Sequence, residues 1–283
     1  MKQKYVLVGV DDTPESLLAL HWAVEAAGGR GAPVRVIRAY LDEASRWPAL
    51  GVEGYVPPPM PLDKFQTGLD DAVRYARDRL GYDGGSGWLA NSDPATALLI
   101  EAGNAELVVV GTRSRNKMSA AVLGSVATSV ASKAPCPVVV VRGERRTGPV
   151  VVGTDGSLDS EEAVAFAFEE AAGTGEKLEV VHCWQPQSDH HEAIESTHQL
   201  LTDWLAESLE PYRDKYPSVQ VRASILEGRA STRLIALSET ASLVVVGSRG
   251  RGGVAGLLLG SVSQSLLHHA DSPVAIVRRH KES

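Results

Sequence analysis

Apolar residues follow two alternating patterns along the chain. Short β-branched runs stand near residues 5–10, 34–40, 87–91, 106–111 and 137–141, and stretches with helical spacing separate them. The runs 107–110, 138–141 and 243–246 are almost pure valine with no polar alternation. A strand without a polar face is buried on both sides, so these runs are expected at the centre of a sheet. Strand–helix alternation of this kind predicts an α/β fold with a parallel sheet, right-handed crossovers and helices on both faces. Thr13 followed by Pro14 marks a capped start for the first helix, and Ser157 is expected to cap the equivalent helix later in the chain. Trp22 and Phe166 fit the buried sides of these two helices.

The pattern then repeats. Tyr5-Val-Leu-Val-Gly-Val-Asp11 and Val150-Val-Val-Gly-Thr-Asp155 match with Asp11 and Asp155 paired at a spacing of 144, which holds through Tyr40 and Trp184. A second block, Leu107 to Arg113 against Leu243 to Arg249, runs at a spacing of 136 as far as Pro137 and Pro273. Two copies with so long a period mean duplicated domains rather than a solenoid. The expected domains are 1–144 and 148–283, each a doubly wound, Rossmann-like unit, joined at the polar segment Glu144-Arg-Arg-Thr-Gly148. The last strands, 137–141 and 273–277, are apolar yet belong at sheet edges. Uncovered edges invite pairing, so the two halves are expected to dock through them. A homodimer of whole chains would be a further step, and no residue points to its surface.

The halves differ most after their second strands. Trp47 to Pro61 is too rich in proline and glycine for a regular element, whereas Ser188-Asp-His-His-Glu-Ala runs quickly into a helix. A loop at that place is a ligand cover, a solvated insertion or a domain-contact arm.

Composition narrows the function classes. The net charge of −7 argues against a partner such as nucleic acid or an anionic membrane, so an anionic ligand must be met by a local cluster of donors. No stretch approaches ~18 apolar residues, and a cytoplasmic protein is expected. Cys136 and Cys183 have no metal-type or CxxC spacing and read as two small buried thiols in a reducing compartment. His190, His191, His198, His268 and His269 have no counterparts in the first half and read as solvated helix-face residues rather than metal ligands.

Candidate chemistry concentrates where a buried strand ends and a helix begins: Gly247-Ser-Arg-Gly250, nine residues, then Gly260-Ser261. Glycines at 247 and 250 are expected to supply positive φ and a close backbone approach. Ser261 is expected to cap the following helix, as Ser125 does in the first half, and the free amides behind it form a natural phosphate site. Arg249 and Arg251 can add charge-assisted bonds to the same phosphates. This G-x2-G-x9-G-S pattern, with a first strand ending in Asp-Gly-Ser and a last strand after Ala-x-x-Pro, resembles the universal stress protein family in its tandem form, over essentially the whole chain.

The resemblance implies a five-stranded parallel sheet in each half and ATP as ligand, with or without Mg2+. It places Gly153 and Asp155 at the adenine end, far from the γ-phosphate. Gly247, Arg249, Gly250, Gly260, Ser261 and Val262 would line the ribose and phosphates. The first-half matches are Gly9, Asp11, Gly111, Arg113, Gly124, Ser125 and Val126. One departure stands out: Ser114 replaces the second motif glycine, with Asn116-Lys117 in place of Gly252-Gly253. If that position needs positive φ, serine costs on the order of 1 kcal/mol, roughly a fivefold to tenfold weakening. Both halves are expected to bind ATP, the second more tightly. A G-x4-G-K-[ST] loop, a Ser-His-Asp set and a G-x-S-x-G elbow are all missing, so dedicated catalytic turnover is not expected. The readings open at this point are a nucleotide-binding stress-response regulator, a slow nucleotide hydrolase or phosphotransferase, and a scaffold with vestigial sites.

Overall fold

The computed structural model describes residues 4–41, 61–112, 123–143, 146–186, 190–252 and 258–279. The first half runs β1 (Tyr5–Gly9), α1 (Pro14–Arg30), β2 (Val34–Tyr40), α2 (Leu62–Leu80), β3 (Gly85–Asn91), α3 (Pro94–Ala102), β4 (Ala105–Gly111), α4 (Ser125–Lys133) and β5 (Val138–Val141). The second repeats it as β6 (Val150–Gly153), α5 (Leu158–Thr174), β7 (Leu178–Trp184), α6 (His191–Lys215), β8 (Val221–Glu227), α7 (Ala230–Ser238), β9 (Leu243–Gly247), α8 (Ser261–His269) and β10 (Val274–Val277). Every strand expected in the first half is present.

Within each half all strands are parallel, ordered β3-β2-β1-β4-β5 and β8-β7-β6-β9-β10. The valine runs lie where their lack of a polar face requires, with Val108, Val109, Val139, Val140, Val244 and Val245 fully buried. β5 and β10 then pair antiparallel, with Val138, Val139 and Val140 opposite Ile276, Ala275 and Val274. The halves therefore dock edge to edge as the apolar last strands suggest. The result is one ten-stranded sheet with those strands at its centre. Alternate side chains serve two cores. Val139 and Ala275 face α1, α2, α5 and α6, while Val138, Val140, Val274 and Ile276 face α3, α4, α7 and α8.

The first-face helices also join the halves. Arg30 at the end of α1 donates to the buried Glu170 carboxylate of α5 and lies over the Phe166 ring at 5.5 Å. Burial pushes Glu170 up and the Arg30 guanidinium pulls it back. Phe166 is buried, and Trp22 is half-buried against the same core. The second half carries more aromatic packing. Phe168 is fully buried and stacks on Tyr212 at 5.2 Å and on Tyr216 at 5.8 Å, the first from α6 and the second just after it.

The helix starts bear out one expected cap and correct another. Thr13 stands at the N-cap of α1 and its hydroxyl accepts from Ser16 N at 3.3 Å. Ser157 holds the same position before α5, but its hydroxyl makes no cap bond and donates to Asp155 Oδ1 at 2.6 Å. Both cysteines are free thiols; Cys136 is buried, with its pKa pushed up to about 12, and Cys183 is half-buried. Among the described residues no helix is long and apolar enough to cross a membrane. Glu144 and Arg145 of the expected linker, and Trp47 to Met60 of the proline-rich segment, lie outside the described residues.

Candidate functional site

Each half opens a cleft at the carboxyl ends of its central strands, between β1 and β4 or between β6 and β9. There the chain winds outward in both directions, so the loops that follow the two strands part and leave a crevice. The second-half cleft, about 340 Å3, is lined by Gly153, Asp155, Gly247, Arg249, Gly250, Arg251, Gly260, Ser261 and Val262, with Val181, Cys183 and Leu234 as an apolar wall. The first-half cleft, about 390 Å3, gathers Gly9, Asp11, Gly111, Gly124, Ser125 and Val126 around Ile37, Ala39 and Leu98. Every candidate residue among the described ones is therefore in a cleft. Arg113 and Ser114 lie outside the described residues, as do Asn116, Lys117 and Gly253.

Two glycines of the second loop are needed for space. Gly247 and Gly250 do not have positive φ; in the Asp-Gly-Ser turn it is Gly156 that does, at φ 72°. A Cβ on Gly247 would come 2.9 Å from the Asp159 carbonyl carbon, because the end of β9 runs against the first turn of α5. A Cβ on Gly250 would collide with Asp155 Oδ2. The expected backbone penalty at Ser114 therefore loses its basis, since its second-half counterpart is not left-handed.

The serines are also corrected by one place. Gly124 and Gly260 are the N-caps, and Ser125 and Ser261 are the first helical residues, with no side-chain cap bond. Both serines line their clefts. In α8 the first intrahelical bond runs from Gln264 N to Gly260 O, so the amides of Ser261, Val262 and Ser263 precede it. α4 starts the same way, with Thr128 N on Gly124 O. Each cleft thus faces the positive end of a helix.

Hydrogen bonds hold the second loop in shape. Asp155 Oδ2 accepts from Arg251 N at 2.7 Å, and its Oδ1 accepts from Ser157 N and Oγ. Ser263 Oγ donates to Gly247 O, and Ser248 Oγ donates to Asp159 Oδ2, which also lies 3.9 Å from Arg249 Nε. Asp155 is therefore a tie between the first strand's loop and the glycine loop. Burial pushes its pKa up, but the bonds from Ser157 and Arg251 outweigh this and leave it below its ordinary value. A depressed carboxylate stabilises the fold above its unfolded pKa and loses that contribution as pH falls through the folded pKa. Asp155→Asn should therefore flatten the acid limb of a stability profile below about pH 4. Equal slopes for the two proteins in acid denaturation would refute the tie.

Among the described residues the first half keeps fewer of these bonds. Asp11 Oδ1 accepts from Thr13 N at 2.9 Å and from its hydroxyl. Ala127 stands where the second half has Ser263, and the buried Thr112 hydroxyl, matching Ser248, has no partner among the described residues. Glu15, in place of Asp159, does not bond to it.

Sequence reading missed a compensated exchange beside each cleft. In the first half the buried Arg38 pairs with Asp12 at 2.7 Å and lies so close to Gly68 that a Cβ there would overlap Nη1. At the matching places the second half has His182, Gly156 and Trp204. His182 Nδ1 lies 2.9 Å from Thr154 O, Trp204 meets its ring edge-on at 5.2 Å, and the indole fills the space over Gly156. The signal was available in the sequence as three coupled differences, two at the spacing of 144 and one at 136. Gly68→Ala should lower the melting temperature by displacing Arg38, at a cost of roughly 1–3 kcal/mol; a calorimetric scan reads it. His190, His191, His198, His268 and His269 are exposed, as expected of helix-face residues, and His191 pairs with Glu195 at 3.1 Å.

Comparison with known proteins agrees with this fold. The model of the universal stress protein family matches twice, over residues 3–142 and 147–278. A universal stress protein of Mycobacterium tuberculosis is 35% identical, with 98% of each chain covered. One from Mycolicibacterium smegmatis is 33% identical over 96% of each. Among solved structures, a putative universal stress protein from Pseudomonas aeruginosa is similar with a TM-score of 0.71 at 20% identity, covering 99% of this chain and 94% of that one. One from Archaeoglobus fulgidus has a TM-score of 0.64 at 18% identity, covering 97% and 96%. The chain belongs to the universal stress protein family, as a tandem of two family domains.

Proposed function

We propose that the chain is an ATP-binding stress-response regulator with one nucleotide site in each half, the second being the better formed. The observation that carries this is the second-half cleft. An apolar wall of Val181, Cys183 and Leu234 suits a base, while a glycine-lined floor ends at the amides of α8 and at Arg249 and Arg251. Anion-binding amides at a helix start and an apolar slot within one crevice are what an adenine nucleotide requires. The ties through Asp155, Ser248 and Ser263 pre-organise the loop, and pre-organisation lowers the ordering cost of binding. Thr112 and Ala127 reproduce neither of the last two ties in the first half, which supports weaker binding there.

The protein acts by occupancy, in the cytoplasm, and not by turnover. In the second half Asp155 is the motif carboxylate, and it is already committed to Arg251 N and Ser157. Occupancy biases the conformations the chain presents to a partner. The test is to denature freshly purified protein by heat and identify released small molecules by mass spectrometry. Recovered ATP supports the reading, and an empty protein that also fails to bind added ATP refutes it. Incubation with ATP and Mg2+ separates the hydrolase alternative, which requires turnover above ~1 s−1 to count as an ordinary enzyme.

A further inference from the structure

The antiparallel seam has a local chemical result. Where β5 ends, β10 begins, and β10 is entered directly from the C-terminus of α8. The first residue after β5 is Arg142, a buried cation. Its Nη1 donates to Ala270 O at 2.9 Å and its Nη2 donates to Leu267 O, both in the closing turn of α8. Pseudo-symmetry gives the reverse contact. Arg278, the first residue after β10, donates from Nη2 to Ser132 O at 2.7 Å, in the last turn of α4, and to Leu258 O at 3.2 Å beside the second glycine loop. Each last helix is therefore held at its negative end by a guanidinium from the opposite half.

Those same helices present their positive ends to the clefts, through Ser125 and Val126 in one half and Ser261 and Val262 in the other. Each is an α-helix of nine residues, a rigid rod of about 13 Å. Fixing its C-terminus fixes where its first amides point. Burial lowers the pKa of Arg142, the cost of enclosing a charge, and a seam between apolar strands has no need of a charge for packing alone. We infer that Arg142 and Arg278 are crossed positioning residues: Arg142 of the first half sets the anion-binding amides of the second, and Arg278 of the second half sets those of the first.

The inference rests on the nucleotide reading for its affinity readout but has one that does not. Hydrogen exchange followed by mass spectrometry on the full chain should show Arg142→Met loosening α8 and Arg278→Met loosening α4. In each case amides exchange roughly tenfold faster in the half that does not contain the substitution. Arg142→Lys should restore part of the protection. Val139→Ala is the control: it removes seam packing on the face away from α4 and α8, and should lower stability without the crossed pattern. In a Gly124→Glu background, which silences the first cleft, Arg142→Met should weaken ATP binding by roughly fivefold to tenfold in calorimetry while Val139→Ala leaves it unchanged. Exchange confined to the substituted half, or the same response from Val139→Ala, overturns the inference. Should the Gly124→Glu protein bind no ATP at all, the nucleotide reading of the second cleft fails, and the exchange pattern still decides the role of the arginines.

Discussion

Gly260→Glu should reduce ATP binding from two sites per chain to one, with the remaining site in the first half. Gly260 is the N-cap of α8, at φ −74° and ψ 162°, a conformation open to any residue. A Cβ there would make ordinary contacts, 3.5 Å from Arg249 Cα and from Ser248 O. The substitution is therefore tolerated by the backbone, and an acidic group at a helix start stabilises the helix. That favourable interaction is what harms binding. The carboxylate takes the place of a phosphate before the amides of Ser261, Val262 and Ser263 and repels any anion that approaches. The loss at that site should be about 100-fold, or roughly 2.7 kcal/mol, with the melting temperature of the ligand-free protein little changed. Titration calorimetry reads both stoichiometry and affinity. Two sites of unchanged affinity would show that the phosphates lie elsewhere. Gly124→Glu should do the same in the first half, and the double variant should bind no ATP.

The second large effect concerns stability. Phe168→Ala should cost about 3–5 kcal/mol, because it empties a fully buried volume and removes two ring stacks at the end of α6. The matching first-half residue is Val24, which is buried and aliphatic, with no ring to stack. Val24→Ala should cost roughly 1–3 kcal/mol. Denaturant titration of the two variants measures the difference. Equal losses would mean that the aromatic cluster of α5 and α6 does not set the stability of the second half.

The sequence was most informative where burial alone decides structure. Val108, Val109, Val244 and Val245 show this, since a strand with no polar face has only one place in an α/β sheet. The pairing of the two last strands was readable for the same reason. That the candidate residues would gather at one cleft was readable from the glycine spacing, because only glycine fits where Gly247 meets the first turn of α5. What escaped were choices between partners of similar chemistry. Ser157 could cap α5 or bond Asp155, and local sequence does not rank those alternatives. The exchange of Arg38 and Gly68 for His182 and Trp204 conserves filled volume rather than residue type. Arg142 reads as an ordinary cation after a strand until the antiparallel seam brings it to the end of a helix, against a carbonyl 128 residues away.

That seam also sets how the molecule can be read by others. In each half the cleft lies at the carboxyl ends of the strands, and the strands of the two halves run in opposite senses across β5 and β10. The two clefts consequently open toward opposite margins of the sheet. A partner docked at the mouth of one cleft is therefore placed away from the mouth of the other. With a nucleotide in each cleft, as proposed, a single chain can report two occupancies to two separate listeners, or bridge them, without either listener meeting the other.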